Sequence, residues 1–343
     1  MTKVGMLAPI THPYPPPGYG PWERVTHDLT ERLVAEGHEV TLFATAASET
    51  KASLVATVDR PLSSVSSSER RRIEDDHIAT AMSIAADGRF DVVHSHLHVH
   101  ALGYAEHLPC PLVTTLHGAA WDTAHFEKLR QFAHLPFVSL SDRERDFMPE
   151  LNYVATIPNG IRMDDFPPGR GAGGYVAFVG RLAPEKAPHL AVEIARRAGL
   201  RLLMAGVIED RYRDYAEGVL TEGRDVVDYL GSLDRPELSL LLRDAMALVM
   251  PLEWDEPFGL VVVEALASGT PVVAWRRGAM PEIVEESVTG YLVDGVEDAV
   301  NALSRVPALS RDACAAQARR RFSDAVMAAR YGEVYDLVGS AAR

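Results

Sequence analysis

Residues 250–273, MPLEWDEPFGLVVVEALASGTPVV, set two carboxylates, Glu256 and Glu264, around a proline and a glycine. The order reads as the end of a buried strand at 247–250, an acidic loop, a helix opening at Pro257, and a second buried strand from Pro271. Proline suits the first helical position because its missing N–H would have no partner there and its φ is already helical. The first-turn amides of Phe258, Gly259 and Leu260 then lack intrahelical acceptors, and with the helix dipole they make a place for an anion. Gly259 lets that anion approach the backbone. At about 1.5 Å rise per residue the two glutamates stand roughly 10 Å apart along the axis, the span of a diphosphate with a sugar at each end. An ionised carboxylate accepts from both of two neighbouring sugar hydroxyls, so carboxylate, amides and carboxylate can read sugar, phosphate and ribose in order. The alternative is a half-buried helix with both glutamates facing water. The run Val261-Val262-Val263 would also fit a strand, and the Glu-Ala-Leu-Ala that follows favours helix.

A phosphate ligand needs local positive charge here, because 34 Lys and Arg stand against 48 Asp and Glu, a formal net charge of −14. That balance argues against nucleic acid or an anionic membrane as the main partner. Gly180-Arg181-Leu-Ala-Pro-Glu-Lys186 follows a predicted strand at 175–179, so Arg181 stands at a strand end with Lys186 one loop away. Taken singly they are ordinary solvated charges; together they can stabilise a departing phosphate without a metal. His117 follows the buried run 112–116 and precedes Gly118, which places it at a strand's carboxyl end. His94, His96, His98 and His100 alternate, and on a strand all four would share one face. Side chains on one strand face diverge, whereas zinc sites usually gather ligands from separated segments. The expectation is therefore no metal, with the first of these histidines lining a cleft and the others forming polar surface. Gly18-x-Gly20-x-x-Glu23, in the loop THPYPPPGYGPWE, looks like a dinucleotide fingerprint without its third glycine, but the tight strand-to-helix turn is absent. Tyr19, Trp22 and Trp121 are candidates either for stacking an acceptor sugar ring or for packing.

The motif E-P-F-G-L-V-V-V-E-A-L-A-S-G-T-P-V-V resembles the E-x7-E signature of retaining glycosyltransferases of family 4, which have the two-domain GT-B architecture. Gly180-Arg181 to Lys186 matches that family's R-x4-K, and T-x-H-G at residues 115–118 matches its histidine motif. The resemblance implies that Arg181, Lys186 and the amides of Phe258, Gly259 and Leu260 serve the leaving diphosphate, that Glu264 holds the ribose, and that Glu256 holds the donor sugar. It implies that His117 contacts that sugar near the reacting carbon, that the loop of Gly18 and Gly20 approaches the donor phosphates, and that the backbone near Leu233 lies beside the base. It further implies retention of anomeric configuration, no metal requirement, and a final helix crossing back to the first domain; a bacterial natural-product pathway is a separate expectation that no residue carries. The chain has Gly-Tyr-Gly where the family commonly has adjacent glycines, and Ala279 where glycine is usual.

The elements that must position these residues follow from hydrophobic runs. At 343 residues the chain suits two domains. Predicted strands at 4–8, 40–44, 92–94, 112–116, 137–140 and 154–157 alternate with helical spacing near 22–36, 67–87, 99–107 and 122–133. The turn-rich interval 157–174 separates them from strands at 175–179, 200–205, 226–230, 247–250 and 272–274. This alternation predicts an α/β fold of two doubly wound, Rossmann-like domains facing a cleft: 1–168 on the acceptor side, 169–321 binding the nucleotide sugar, and a crossing helix at 322–343. No apolar run is long enough to span a bilayer, KVGMLAP is expected to start the fold without a signal peptide, and Cys110 and Cys314 are expected as reduced thiols. Together these give a cytoplasmic enzyme moving sugar from a nucleoside diphosphate donor, UDP being the expected nucleotide, to a soluble glycan or small-molecule acceptor. A GT-B epimerase and a non-catalytic nucleotide-sugar binding protein are the alternatives, and a nicotinamide enzyme stands behind both.

Overall fold

Short apolar runs without polar alternation become strands covered on both faces, the condition for a parallel sheet. The computed structural model describes residues 1–341 and places thirteen strands in two sheets. The first sheet is built from β1 (Lys3–Leu7), β2 (Glu39–Thr45), β3 (Ser53–Val58), β4 (Val92–Ser95), β5 (Leu112–Thr115), β6 (Phe137–Ser139) and β7 (Tyr153–Thr156). Its α-helices are α1 (Pro21–Ala35), α2 (Ser67–Ala85), α3 (Phe126–Gln131) and α4 (Asp142–Arg145). The second sheet comprises β8 (Tyr175–Val179), β9 (Arg201–Ala205), β10 (Val227–Tyr229), β11 (Ala247–Met250), β12 (Val272–Trp275) and β13 (Gly290–Val293). With it go α5 (Pro188–Ala198), α6 (Arg213–Glu222), α7 (Arg235–Asp244), α8 (Leu260–Ala267), α9 (Met280–Ile283), α10 (Val296–Arg305) and α11 (Arg311–Phe322), and the chain ends in α12 (Asp324–Ala341).

All pairings are parallel, in the orders β3-β2-β1-β4-β5-β6-β7 and β10-β9-β8-β11-β12-β13. Counted within its own unit, the second sheet has the doubly wound order 3-2-1-4-5-6, and the first has the same order extended by a seventh strand. In that order loops diverge to opposite sides where the winding reverses, leaving a ligand crevice at the strands' carboxyl ends. The reversal falls between β1 and β4 in the first sheet and between β8 and β11 in the second.

Two units result, one of Met1–Gly160 plus the chain from Asp324 on, the other of Ile161–Ser323. The division lies before the turn-rich segment's end, not after Pro168, because that segment is tied into the second unit. The Ile161 amide donates to the Phe322 carbonyl at 2.9 Å and the Gly169 amide to Ser268 at 2.9 Å. In the first unit, α12 buries Tyr331 and Tyr335 and packs on α1 and β4. The second unit's core gathers Phe178, Leu202, Val249, Val273 and Leu303 between its layers, each such buried side chain contributing about 1.5–3 kcal/mol.

Two strands escape the apolar-run reading. They are the edge strand β3, whose residues are half-buried or exposed, and the buried β13. The helical segment expected at 99–107 is a 3-10 helix, Leu102–His107, and the segment at 122–133 shortens to α3 behind a 3-10 turn. Among the described residues no helix is long and apolar enough to cross a membrane.

Candidate functional site

In the Ile161–Ser323 unit, the loops after β8, β9 and β11 interlock. Gly206 sits at φ 148°, and a Cβ there would collide with the Gly180 carbonyl, so only glycine lets these two strand ends meet. Arg181, next in chain, reaches between two carboxylates: Nη1 donates to Glu209 Oε1 at 2.9 Å and Nη2 lies 3.0 Å from Glu185 Oε1. Burial works to raise the Glu209 carboxyl, but hydrogen bonds from Arg181 and Arg211 outweigh it and hold the carboxyl below its ordinary range. The 3-10 turn Pro184–Lys186 then delivers Lys186, and the Glu253 amide fastens this turn to the loop after β11 by donating to the Glu185 carbonyl at 3.0 Å.

Lys186 forms an ion pair with Glu256, both side chains 13% exposed. Trp254 joins the pair from beneath. Its ring centroid lies 4.6 Å from Lys186 Nζ, and its indole N–H donates to Glu256 Oε2 at 3.1 Å. A cation held by a carboxylate and an aromatic face is fixed in position while keeping its charge. Glu256's backbone is clamped as well: the Ala279 amide donates to its carbonyl at 2.9 Å, and a Cβ on Gly278, at φ 57°, would strike it.

The helix after this loop opens later than its proline predicts. It begins at Leu260, with Gly259 as the N-cap at φ 94°, so Pro257 and Phe258 belong to the loop. Phe258 is buried, its ring 5.9 Å from Phe322 at 70°, and that packing rather than helix formation sets the local backbone. The first-turn amides are accordingly those of Leu260, Val261 and Val262, of which Val262 donates to the Gly259 carbonyl at 3.0 Å. Phe258 and Gly259 drop out of the expected set, Leu260 stays, and the axial spacing between Glu256 and Glu264 no longer applies, since only Glu264 is helical. Glu264 is 5% exposed in the middle of α8, which removes the alternative of a solvated helix face. Leu233 is half-buried in the loop after β10, just before the Asp234 and Glu237 capping box of α7.

At the carboxyl end of the first unit's sheet the chemistry is imidazole. His94 alone of the alternating four lies in a strand; His96, His98 and His100 follow in the loop, where the shared-face prediction fails. His94 bonds through Nδ1 to Tyr335 Oη and through Nε2 to Thr115 Oγ1, both at 2.8 Å, and Thr115 Oγ1 meets Tyr331 Oη at 2.8 Å. His96 Nδ1 lies 2.7 Å from His117 Nε2. His117 has φ 45°, and the Gly118 amide beside it donates to the buried Glu144 carboxylate at 2.6 Å. Burial, then repulsion among the rings, lowers these histidines: His94 to about 3, and His96 and His117 well below their ordinary value. They are neutral at physiological pH. Among the described residues no group of three or more metal-ligating side chains is placed to hold a metal.

The glycine loop before α1 is a packed structure. Arg24 donates to the Pro16 and Gly18 carbonyls at 3.1 and 2.9 Å, and Glu23, the residue in place of a third fingerprint glycine, is a buried carboxylate accepting from the His12 amide at 3.2 Å. Burial pushes the Glu23 carboxyl up. A Cβ on Gly20 would come 2.9 Å from Pro16 Cβ, whereas Gly18 has open space. Trp121 packs on Phe147 at 5.0 Å, but Tyr19 and Trp22 stay exposed, Trp22 with its ring 4.7 Å from His98 and 6.1 Å from His117.

Residues 22–165 match the family model for Glycosyltransferase Family 4, and residues 168–324 match that for Glycosyl transferases group 1. The chain belongs to the glycosyltransferases, a family 4 domain followed by a group 1 domain. It is 33% identical over 190 residues to the D-inositol 3-phosphate glycosyltransferases of Mycobacterium tuberculosis and Mycobacterium bovis, a stretch covering 49% of this chain and 39% of those relatives' length. Similar solved structures include AviGT4, a glycosyltransferase involved in avilamycin A biosynthesis, at 23% identity, TM-score 0.77 and 99% coverage of each chain. Sucrose-phosphate synthase from Thermosynechococcus elongatus matches at 20% identity and TM-score 0.83, covering 99% of this chain and 100% of that one. HepE of Anabaena, solved with UDP and glucose, matches at 19% identity and TM-score 0.75, with 98% and 100% coverage. These likenesses identify the fold of this glycosyltransferase as GT-B.

Within the group 1 domain, the sequence-predicted residues Arg181, Lys186, Leu233 and Glu256 lie in the connections that follow β8, β10 and β11, and Leu260 opens α8. Sequence reasoning missed Trp254, Glu185 and Glu209, the partners that fix the two cations, and in the family 4 domain it missed the pairing of His96 with His117. A tryptophan two residues before Glu256, in a loop, was the available signal for the first.

Proposed function

We propose that this protein transfers a glycosyl group from a UDP-sugar to a hydroxyl of a soluble glycan or small polyol-like acceptor, with retention at the anomeric carbon and without a metal ion. The observation that carries this reading is the knot of Lys186, Glu256 and Trp254, with Arg181 earlier in the same loop after β8 paired to Glu185 and Glu209, at the reversal point of the second sheet. Transfer breaks the bond between the anomeric carbon and the diphosphate oxygen, forms one to the acceptor oxygen, and releases the acceptor's proton. Negative charge builds on the diphosphate as that bond breaks. Arg181, Lys186 and the first-turn amides of α8 answer it with prepositioned positive charge and donors, which act most strongly where water is excluded. Glu264 then takes the ribose hydroxyls, Glu256 the donor sugar, and His117 the sugar near its anomeric carbon. A neutral imidazole suits that last role, because it offers one donor and one acceptor to hydroxyls. UDP is supported by the HepE complexes with UDP and UDP-glucose, and a small hydroxylated acceptor by the names of the mycobacterial relatives.

Calorimetric titration with UDP, GDP, ADP and dTDP, with and without EDTA, tests the donor reading. UDP is expected to bind tightest and without dependence on EDTA, and UDP-glucose with a panel of sugar and cyclitol acceptors to release UDP and give a product of unchanged anomeric configuration by NMR. Binding of none of the four nucleotides overturns the proposal; an inverted product or loss of turnover in EDTA overturns its stereochemical or metal-free part.

A further inference from the structure

We infer that His96 is a positioning residue for His117: the hydrogen bond between them ties the protonation of the two rings together, so that which His117 nitrogen carries the proton, and whether its other nitrogen presents a donor or an acceptor, depends on His96. The consequence for sugar recognition rests on the function proposed above; the pairing itself does not.

A contact of 2.7 Å between His96 Nδ1 and His117 Nε2 requires one N–H and one lone pair. A neutral imidazole has a single N–H. The two rings are therefore complementary. When His96 donates, His117 carries its proton on Nδ1; when His117 donates, its Nδ1 is an acceptor and His96 Nε2 bears the proton. These two outer nitrogens, His96 Nε2 and His117 Nδ1, are both buried and have no hydrogen-bond partner among the described residues. Leaving such atoms unsatisfied costs about 1–3 kcal/mol each, a cost that a hydroxylated ligand at His117 Nδ1 offsets.

His96 has no freedom to turn away. Its amide donates to the Leu7 carbonyl at 3.0 Å, and its ring lies 4.2 Å from that of His94, which Tyr335 and Thr115 hold at both nitrogens. His117 is held from its own side by the left-handed backbone and the Gly118 contact to Glu144. The titratable groups facing the pair are His94 and His98 on the β4 side and Glu144 under Gly118. Burial first, and His96 and His98 next, keep His117 from protonating, so removing His96 lifts one of those restraints.

The test is long-range proton–nitrogen NMR of the imidazoles in the full chain labelled at histidine nitrogen, for wild type, His96→Leu and His96→Asn. Wild type is expected to show one fixed and mutually complementary neutral tautomer for each of the two rings down to about pH 5. In His96→Leu the His117 signals should average between tautomers and protonate at higher pH. In His96→Asn the side-chain amide reaches the place of Nδ1, and a fixed tautomer should return. Turnover of UDP-sugar by His96→Leu should fall roughly 10- to 100-fold in kcat, the scale on which a partner orienting a reacting histidine acts, with donor KM changed about two-fold or less and most of the loss recovered in His96→Asn. An averaged His117 in wild type, or an unchanged His117 tautomer in His96→Leu, overturns the inference. So does equal loss of kcat in both variants in step with their melting temperatures. The spectra need no substrate, so failure of the donor reading silences the kinetics and leaves this result standing.

Discussion

At the reversal point of the group 1 sheet the functional side chains are ions tied to ions: Lys186 to Glu256, and Arg181 to Glu185 and Glu209. At the corresponding point of the family 4 sheet they are imidazoles that burial keeps uncharged. All the chain's thirteen histidines except His189 belong to the unit that carries this second arrangement. The same strand order thus presents fixed charge in one place and fixed neutrality in the other. Charge suits a phosphate that gains negative charge during reaction. Neutrality suits hydroxyls, which need a donor on one side and an acceptor on the other without the desolvation cost of an ion.

Removing one member of the charged arrangement should have the largest effect. Lys186→Ala is expected to lower kcat about 10²- to 10³-fold, the cost of losing one prepositioned charge or donor at a developing anion. Activity within about three-fold of wild type at saturating donor would remove Lys186 from the site, since losing a charge that strengthens its contact as the phosphate departs must show in kcat.

Acid should break the neutral arrangement first. His77 and His94 are lowered from 6.5 to about 4 and about 3 in the folded chain. The unfolded chain therefore binds more protons between those values and 6.5, so the stability these histidines lend is present above 6.5 and is lost as pH falls toward 4. By pH 5 the loss is about 2 kcal/mol for each such histidine. Hydrogen exchange at pH 5 should expose the amides of β4 and β5 before those of β8 and β11; simultaneous loss would erase the distinction between the two ends.

A smaller change sharpens the donor side. Glu264→Gln keeps shape but removes charge, and should raise donor KM about ten-fold, the worth of a charge-assisted over a neutral hydrogen bond, with an unchanged circular dichroism spectrum. Kinetics identical to wild type would take Glu264 out of donor binding. The smallest expected effect is that of Trp254→Phe, which keeps an aromatic face under Lys186 and loses the indole N–H to Glu256. A cost of about 1 kcal/mol, or roughly five-fold in kcat/KM, is expected; a loss as large as that of Lys186→Ala would mean that the ring itself, not the ion pair, orders the loop.

Local pattern carried much of this. The runs at 175–179 and 247–250 coincide with β8 and β11, and a residue that follows a buried run stands at a strand end whatever the rest of the chain does, which is why Arg181 and His117 were legible. Pro257 misled, because proline is equally at home in a loop and the burial of Phe258 against Phe322 decided the matter from outside the segment. The alternating histidines misled for a related reason: β4 stops at Ser95, and beyond it no ladder enforces the period of two.

By itself the sequence determined the alternation of strand and helix and the kinds of side chain left at the strand ends, since both depend on neighbours within a few residues. Only the tertiary structure decided the partners. Lys186 and Glu256 are 70 residues apart, His96 and His117 are 21, and His94 and Tyr335 are 241. What brings the first two pairs together is the order in which parallel strands take their places beside β1 and β8, and what brings the third together is the packing of α12 on β4; both are set by how whole layers bury their apolar faces, which no short stretch of chain can encode.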